Sequence, residues 1–265
     1  MAHQRTIVVT GSASGMGAAT LKRLVANGDR VIGVDLHDAD VIADLGTPEG
    51  RQSAVEAITE LSQGVLDGLV TFAGKGGLPN RAGSLLVAVN YFGTVKLLEN
   101  LRPLLAKGTN AAAIAIASNS MTCQPGVPLD VVKHCLDSDE EGARVAADTA
   151  GSIQTYPATK LAVTRWVRHH APNPEWAGAG ITLNVIAPGA VQTPLLKETQ
   201  DDELLGPMLA AFPIPIGRNG TAEELAGVVA FLLGPDARFF CGSALIVDGG
   251  TEASLRADDL PSPMA

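Results

Sequence analysis

The sequence predicts an α/β fold: a single Rossmann-type doubly wound parallel sheet of about seven strands, with helices on both faces and a helical insertion before a central helix. Three observations predict it. A short apolar run, Arg5 to Thr10, leads into Gly11-Ser12-Ala13-Ser14-Gly15-Met16-Gly17 and then into the helix-forming run Ala18 to Val25. Asp35 stands at the end of the next apolar run, Arg30 to Val34, 18 residues past Gly17. Beyond it, apolar runs alternate with amphipathic stretches without an intervening linker, as βα units do. Residues 1–265 therefore read as one domain.

At 265 residues and 46% hydrophobic composition, the chain can bury a sizeable core. No apolar run approaches the ~20 residues that span a bilayer. The few residues ahead of Thr6-Ile7-Val8-Val9 fit no signal peptide. A cytoplasmic protein without membrane contact is expected. The formal net charge of −9 argues against a general nucleic-acid binder, which needs a basic footprint. It leaves room for a small anionic ligand held locally. Cys123, Cys135 and Cys241 are odd in number and lack metal or redox spacing, which reads as reduced thiols. The histidines form no ligand motif, so no metal is expected; His169-His170 suits a helix C-terminus.

In chain order, the first unit is strand, glycine-rich turn, helix. Glycines permit the tight turn and close backbone approach, and a helix N-terminus offers unpaired N–H groups to a pyrophosphate. Gly11, Ser12, Ser14, Gly15, Met16 and Gly17 are candidate cofactor contacts. The alternative is an ordinary βα turn of small residues. Asp35 sits where a carboxylate takes the 2′-hydroxyl of an adenosine ribose, and it would repel a 2′-phosphate. Ser14 and Leu36 supply no cation for that phosphate, although His37 is close, so NAD is favoured over NADP.

Val41 to Leu45 is a short third strand, whose Asp44 and Leu45 either flank the adenine or have no role. Pro48 to Leu61 is a helix with Pro48 in its first turn. Leu69 to Gly74 is the fourth strand with its exit, and the glycine-rich loop Gly76 to Gly83 follows. Ser84 to Ala106 is a long helix broken or ended near Pro103. Asn90 lies in its apolar stretch and needs a partner, a core asparagine bonded to backbone being one reading. Ala111 to Ala117 is the fifth strand. Ser118 stands at its carboxyl end, where open α/β sheets place ligands, or serves there as a cap. Pro128 to Ala150 is amphipathic and helical, the insertion of about residues 128–150.

Gly180 to Ile186 is the sixth strand and exits through Pro188, Gly189, Val191, Thr193 and Pro194. Residues 194–216 mix apolar and acidic side chains and read as a mobile cover. Thr221-Ala222-Glu223-Glu224 resembles a capping box for a helix to Leu233. Ala244 to Val247 is the last strand, ending at Asp248-Gly249-Gly250, and the tail from Arg256 is expected to be loose.

The most informative stretch is Thr155-Tyr156-Pro157-Ala158-Thr159-Lys160. On a helix, Tyr156 and Lys160 share a face, about 5–6 Å apart at Cβ. A cation ~4 Å from a phenol, at an effective dielectric of ~20, favours the phenolate by roughly 4 kcal/mol. At ~1.36 kcal/mol per unit this lowers the phenol by up to ~3 units, enough to make a tyrosine a general acid/base. An ordinary helix contact is the competing reading. Proline lacks an N–H and is tolerated in a first turn, so Pro157 predicts a helix starting close to Thr155.

Together the motifs resemble the short-chain dehydrogenase/reductase family over essentially the whole chain. They are Thr10-Gly11-x-x-x-Gly15-x-Gly17, Asp35, Ala73-Gly74, Asn90, Ser118, Tyr156-x-x-x-Lys160, Pro188-Gly189 and Asp248-Gly249-Gly250. The stretches Gly33 to Leu45 and Val89 to Gly93 look most like its bacterial 3α-hydroxysteroid dehydrogenase/carbonyl reductase branch. So does the interval of 38 residues from Ser118 to Tyr156. The resemblance implies reversible hydride transfer between NAD and a carbinol or carbonyl carbon. Tyr156 would be the acid/base, and Lys160 would lower its pKa and hold the nicotinamide ribose. Ser118 would bond the substrate oxygen, and Asn90 would hold a water between Lys160 and solvent. It also implies cofactor contacts at Ala73, Gly74, Pro188, Gly189, Val191 and Thr193. Two departures stand out. Phe72 replaces the usual asparagine of the fourth strand, and Ala117-Ser118 replaces a serine pair, with Ser120 a weaker candidate.

For the substrate, Leu195, Leu196, Leu204, Leu205, Met208, Leu209 and Phe212 suggest an apolar cover suited to a steroid, a terpenoid or another hydrophobic alcohol or ketone. The alternative is that they pack on the domain. A reductase of smaller ketones or aldehydes and a dinucleotide sensor without turnover are the other readings. The sensor fits poorly with an intact Asn90, Ser118, Tyr156 and Lys160 set. The insertion is expected to block the family's usual four-helix contact, leaving a homodimer through another surface or a monomer.

Overall fold

The computed structural model describes residues 4–259. Seven parallel strands form one sheet in the order β3-β2-β1-β4-β5-β6-β7. They are β1 (Thr6–Thr10), β2 (Arg30–Asp35), β3 (Val41–Ile42), β4 (Gly68–Thr71), β5 (Ala112–Ile116), β6 (Thr182–Pro188) and β7 (Ala244–Val247). The order reverses between β1 and β4, and there the flanking loops part to leave a crevice at the carboxyl edge. Every strand is parallel, so every strand exit opens on that one edge.

The helices are α1 (Gly15–Ala26), α2 (Pro48–Leu61), α3 (Gly83–Leu86), α4 (Gly93–Leu105), α5 (Ser120–Cys123), α6 (Leu129–Leu136), α7 (Glu140–Ala150), α8 (Ser152–His170), α9 (Pro194–Asp201), α10 (Leu205–Ala210), α11 (Ala222–Leu232) and α12 (Thr251–Leu255). Two apolar cores sandwich the sheet, because strand side chains alternate faces. Ile7 and Val9 of β1 join Leu24 of α1 and Leu225, Val229 and Leu232 of α11. Val8 points the other way, toward the core shared with α2, α4 and α8.

Several boundaries differ from the sequence reading. The third strand keeps only two residues. Helix α1 begins at Gly15, inside the glycine turn, with its first N–H groups at the crevice. The long helix runs from 83 to 105 and ends two residues past Pro103, but its middle, Val87–Phe92, is a π-helical segment holding Asn90. Such wide turns are frequent at functional sites. Helix α8 begins at Ser152, so Pro157 lies in its second turn. Residues 256–259 are tied by Arg256, which pairs with Glu252 and Asp259; the remainder of the expected loose tail lies outside the described residues. The capping box is present, with Thr221 accepting from the Glu224 N–H and Glu224 accepting from the Thr221 N–H.

The insertion forms two helices, α6 and α7, which lie against the π-helical segment and α8. Val131, Val132, Cys135, Ala143 and Ala147 are its buried face, while Leu129 and Val145 point outward. A bidentate ion pair fastens it to α2. Arg51, buried, donates to both Glu140 oxygens at 3.2 and 2.8 Å. Glu140→Ala leaves that guanidinium without its carboxylate and is expected to destabilise the protein by about 2 kcal/mol. Urea unfolding measures it, and Arg51→Met in the same chain recovers part of the loss.

Candidate active site

The crevice is a cavity of about 340 Å³ that runs along the carboxyl edge. At one end stand Asp35, Leu36, Asp44 and Leu45; at the other, Gly74, Tyr156 and Lys160; Thr193, Pro194 and Leu195 line its outer wall.

The glycine turn is shaped by contact rather than by composition. A Cβ on Gly17 would lie 2.0 Å from the Gly11 carbonyl oxygen, so no side chain fits there. Gly11 has φ +67° and would press a Cβ onto Ala73, which places β1's exit directly against β4's exit. Thr10 completes the junction, its hydroxyl accepting from the Ala73 N–H at 3.0 Å. The Asp35 carboxylate accepts from the N–H groups of Ala13 and Leu36 at 2.9 and 2.7 Å. It is thereby fixed at the cavity wall with lone pairs to spare. This cradle fits a dinucleotide: a backbone stripped of side chains at a helix N-terminus, followed by an anchored carboxylate.

Of the residues predicted to bind a cofactor, Gly11, Ser14, Gly15, Met16, Gly17, Asp35, Leu36, Asp44, Leu45, Ala73, Gly74, Tyr156, Lys160 and Thr193 line the cavity. Ser12, Pro188, Gly189 and Val191 do not. Ser12 is buried toward β2, its Oγ 2.7 Å from where a Gly33 Cβ would stand. Gly189 packs on Asp248, and Val191 belongs to the core beneath α11. Phe72, in place of an asparagine, packs against the same core and lines the cavity. Lys75, Ile116, Ala117 and Val89 also line it and were not singled out from the sequence. Ile116 and Ala117 carry the signal that selected Ser118, a strand's carboxyl end; Lys75 and Val89 carry none.

The Ser118 hydroxyl stands beside the Tyr156 phenol. The Ser118 Oγ also accepts from the Ser120 N–H at 3.2 Å. Ser120's own hydroxyl is buried without a partner among the described residues, so the serine that meets Tyr156 is Ser118. Asn90 is fully buried and clamps the backbone of Lys75. Its Oδ1 accepts from the Lys75 N–H at 2.7 Å, and its Nδ2 donates to the Lys75 carbonyl at 3.0 Å. It is thus a core asparagine bonded to backbone, behind the cavity wall. Gly74 passes between it and Lys160: a Cβ there would lie 3.2 Å from Asn90 Oδ1 and 3.6 Å from Lys160 Nζ.

Lys160 is buried and donates to the Ile116 carbonyl at 3.0 Å. Its Nζ stands 5.7 Å from the Tyr156 ring centre. Burial pushes the ammonium down from 10.5 to about 8. The Tyr156 phenol is pushed up by burial, partly offset by the Ser118 hydrogen bond. This is the reverse of the direction expected from the Lys160 charge alone. Burial strips the phenolate of its hydration, and that cost outweighs the favourable groups around it.

Among the described residues, no cluster of His, Cys, Asp and Glu could hold a metal, and no helix is long and apolar enough to cross a membrane. The three cysteines are free. The Lys160 shift yields a stability prediction. Its folded pKa lies below its unfolded value, so unfolding takes up a proton between about pH 8 and pH 10.5. Stability is therefore reduced below pH 8 and recovers as pH rises through that window. Lys160→Met removes the charge. Its stability advantage over the parent is expected to shrink by roughly 2–3 kcal/mol between pH 7 and pH 10 in urea titrations. A constant difference would mean that the ammonium is not desolvated.

A family model described as short chain dehydrogenase matches residues 5–128, and one described as enoyl-(acyl carrier protein) reductase matches residues 141–252. The chain is 40% identical over 255 residues to the 3-alpha-hydroxysteroid dehydrogenase/carbonyl reductase of Comamonas testosteroni, covering 94% of this chain and 97% of that one. It is 33% identical to a coniferyl-alcohol dehydrogenase of Pseudomonas sp. strain HR199, covering 93% and 96%. Among solved structures, a 3-alpha-hydroxysteroid dehydrogenase from Pseudomonas sp. B-0831, described as complexed with NADH, superposes with a TM-score of 0.91 at 45% identity, covering 96% of this chain and 99% of that one. Cradle, strand exits and the Ser118–Tyr156 pair thus agree with sequence and fold, and the chain belongs to the short-chain dehydrogenase/reductase family of oxidoreductases.

Proposed function

We propose that the chain interconverts a secondary alcohol and a ketone on a hydrophobic substrate with NAD, in the manner of a 3α-hydroxysteroid dehydrogenase/carbonyl reductase. The observation that carries this reading is a single cavity that begins at Asp35 and ends at Tyr156 and Lys160, with the Ser118 hydroxyl beside the Tyr156 phenol. The names of the Comamonas and Pseudomonas relatives support it. Gly11, Ser14, Gly15, Met16, Gly17, Asp35, Tyr156 and Lys160 would hold the dinucleotide, which when bound supplies the atom that accepts or returns a hydride.

The chain's own residues do the proton chemistry. In oxidation the Tyr156 phenolate takes the carbinol proton, and in reduction the phenol gives it back. The Ser118 hydroxyl bonds the substrate oxygen as charge develops there. The charge on Lys160 favours the phenolate and opposes the desolvation that raises Tyr156. Leu195 lines the cavity, and Leu204, Met208 and Phe212 stand exposed on the segment beside it, an apolar surface suited to a steroid or terpenoid. On the same reading α6 and α7 cover the face of the family's usual four-helix contact, leaving a homodimer through another surface or a monomer.

A panel of 3α-hydroxysteroids, monoterpenols and simple secondary alcohols, followed by NADH absorbance, tests the proposal; no oxidation of any of them would refute it. Tyr156→Phe is expected to retain NAD binding while losing at least ~10³-fold in kcat. Comparable turnover in that variant would remove Tyr156 from the chemistry. Asp35 leads to a second expectation, that kcat/KM is higher with NAD than with NADP. Asp35→Ser should narrow the gap by roughly tenfold or more, since it removes a carboxylate that a 2′-phosphate would meet.

A further inference from the structure

Helix α8 contains a proline where a helix ordinarily needs an N–H. In the second turn, residue 157 would donate to the carbonyl of Ile153, and Pro157 has no hydrogen to give. That carbonyl is not left alone. The side-chain amide of Gln124 donates to it at 3.1 Å. Gln124 follows directly on α5, the short helix that starts two residues after Ser118. With the Gln154 amide turned so that its nitrogen faces the loop, it would donate to the carbonyls of Pro125 and Gly126, each at 3.2 Å. Ile153 and Tyr156 are three residues apart and share a face of the helix. The Gln124 bond thus braces the segment that follows Ser118 against the turn that carries Tyr156, at an acceptor that Pro157 leaves free.

We infer that Gln124 is a positioning residue for the hydride-transfer reaction, acting through the Ile153 carbonyl that Pro157 frees to set the Ser118–Tyr156 pair. It touches neither substrate nor cofactor. Two other ties already fasten the start of α8, Ser152 Oγ to the Leu78 carbonyl at 2.5 Å and Thr155 Oγ1 to the Ala147 carbonyl at 3.0 Å. Both lead to the loop before α3 or to the insertion. Further along α8, Lys160 reaches the Ile116 carbonyl and Thr164 reaches Met121, but among the described residues the Gln124 side chain is the one that bonds the backbone of the turn just before Tyr156, so its loss is expected to shift that turn relative to Ser118 rather than to unfold the helix.

The experiment is a double-variant cycle. Gln124→Leu is expected to lower kcat roughly tenfold, with KM for NAD and Tm nearly unchanged. Adding Pro157→Ala returns an N–H to the helix, satisfies Ile153 from within, and should bring kcat to within about threefold of the parent. Unchanged kcat in Gln124→Leu overturns the inference. So does a folded double variant that stays as slow as the single one. Because kcat as a readout rests on the oxidoreductase reading, amide exchange of residues 152–160 is followed in parallel. Faster exchange in Gln124→Leu, reversed by Pro157→Ala, supports the brace even where the parent turns over no alcohol, an outcome that would count against the proposed function alone. Unaltered exchange overturns the brace.

Discussion

Lys160 carries a charge where little water reaches it, and the catalytic end of the cavity is arranged around that fact. A buried ammonium is tolerated only with hydrogen-bond acceptors at hand. The Ile116 carbonyl is one, at the exit of β5, and accepting from Lys160 draws α8 against the sheet edge beside Ser118. Gly74 runs between Lys160 and Asn90, and a Cβ there would press on Asn90 Oδ1 at 3.2 Å. Asn90 in turn holds the backbone of Lys75 at both its N–H and its carbonyl, which fixes the chain leaving β4. Strand exit, π-helical segment and α8 thus meet at one desolvated charge. Its lowered pKa is the mark that the meeting is tight.

What was legible in the sequence is what local chemistry dictates. The glycine turn, Asp35 at the end of β2, Ser118 past β5 and the capping box at Thr221 each depend on a few neighbouring residues, and each stands where the pattern put it. What was not legible depends on partners far along the chain. The rule that confines proline to a first turn placed the start of α8 three residues late, because Gln124, 33 positions upstream of Pro157, satisfies the orphaned carbonyl. The π-helical widening at Val87–Phe92 has no sequence period of its own. The direction of the Tyr156 shift follows from how deeply the phenol is buried, a property of the assembled fold.

The substrate side obeys the opposite logic from the cofactor side. No residue of α9 is buried, and in α10 only Leu205 is. The ion pair from Arg81 to Glu198, which ties α9 to the glycine-rich loop, is 3.4 Å long and its carboxylate is half exposed, so it adds little. Leu204, Met208, Phe212 and Ile216 therefore keep apolar area that the chain does not cover for itself. Removing ~200 Å² of such area from water is worth roughly 5 kcal/mol, so on the proposed function a hydrophobic substrate would add burial that these helices lack on their own. The residues of the proposed proton chemistry sit on packed elements and have local sequence signals, whereas the side chains that would meet a substrate belong to the least packed part of the fold.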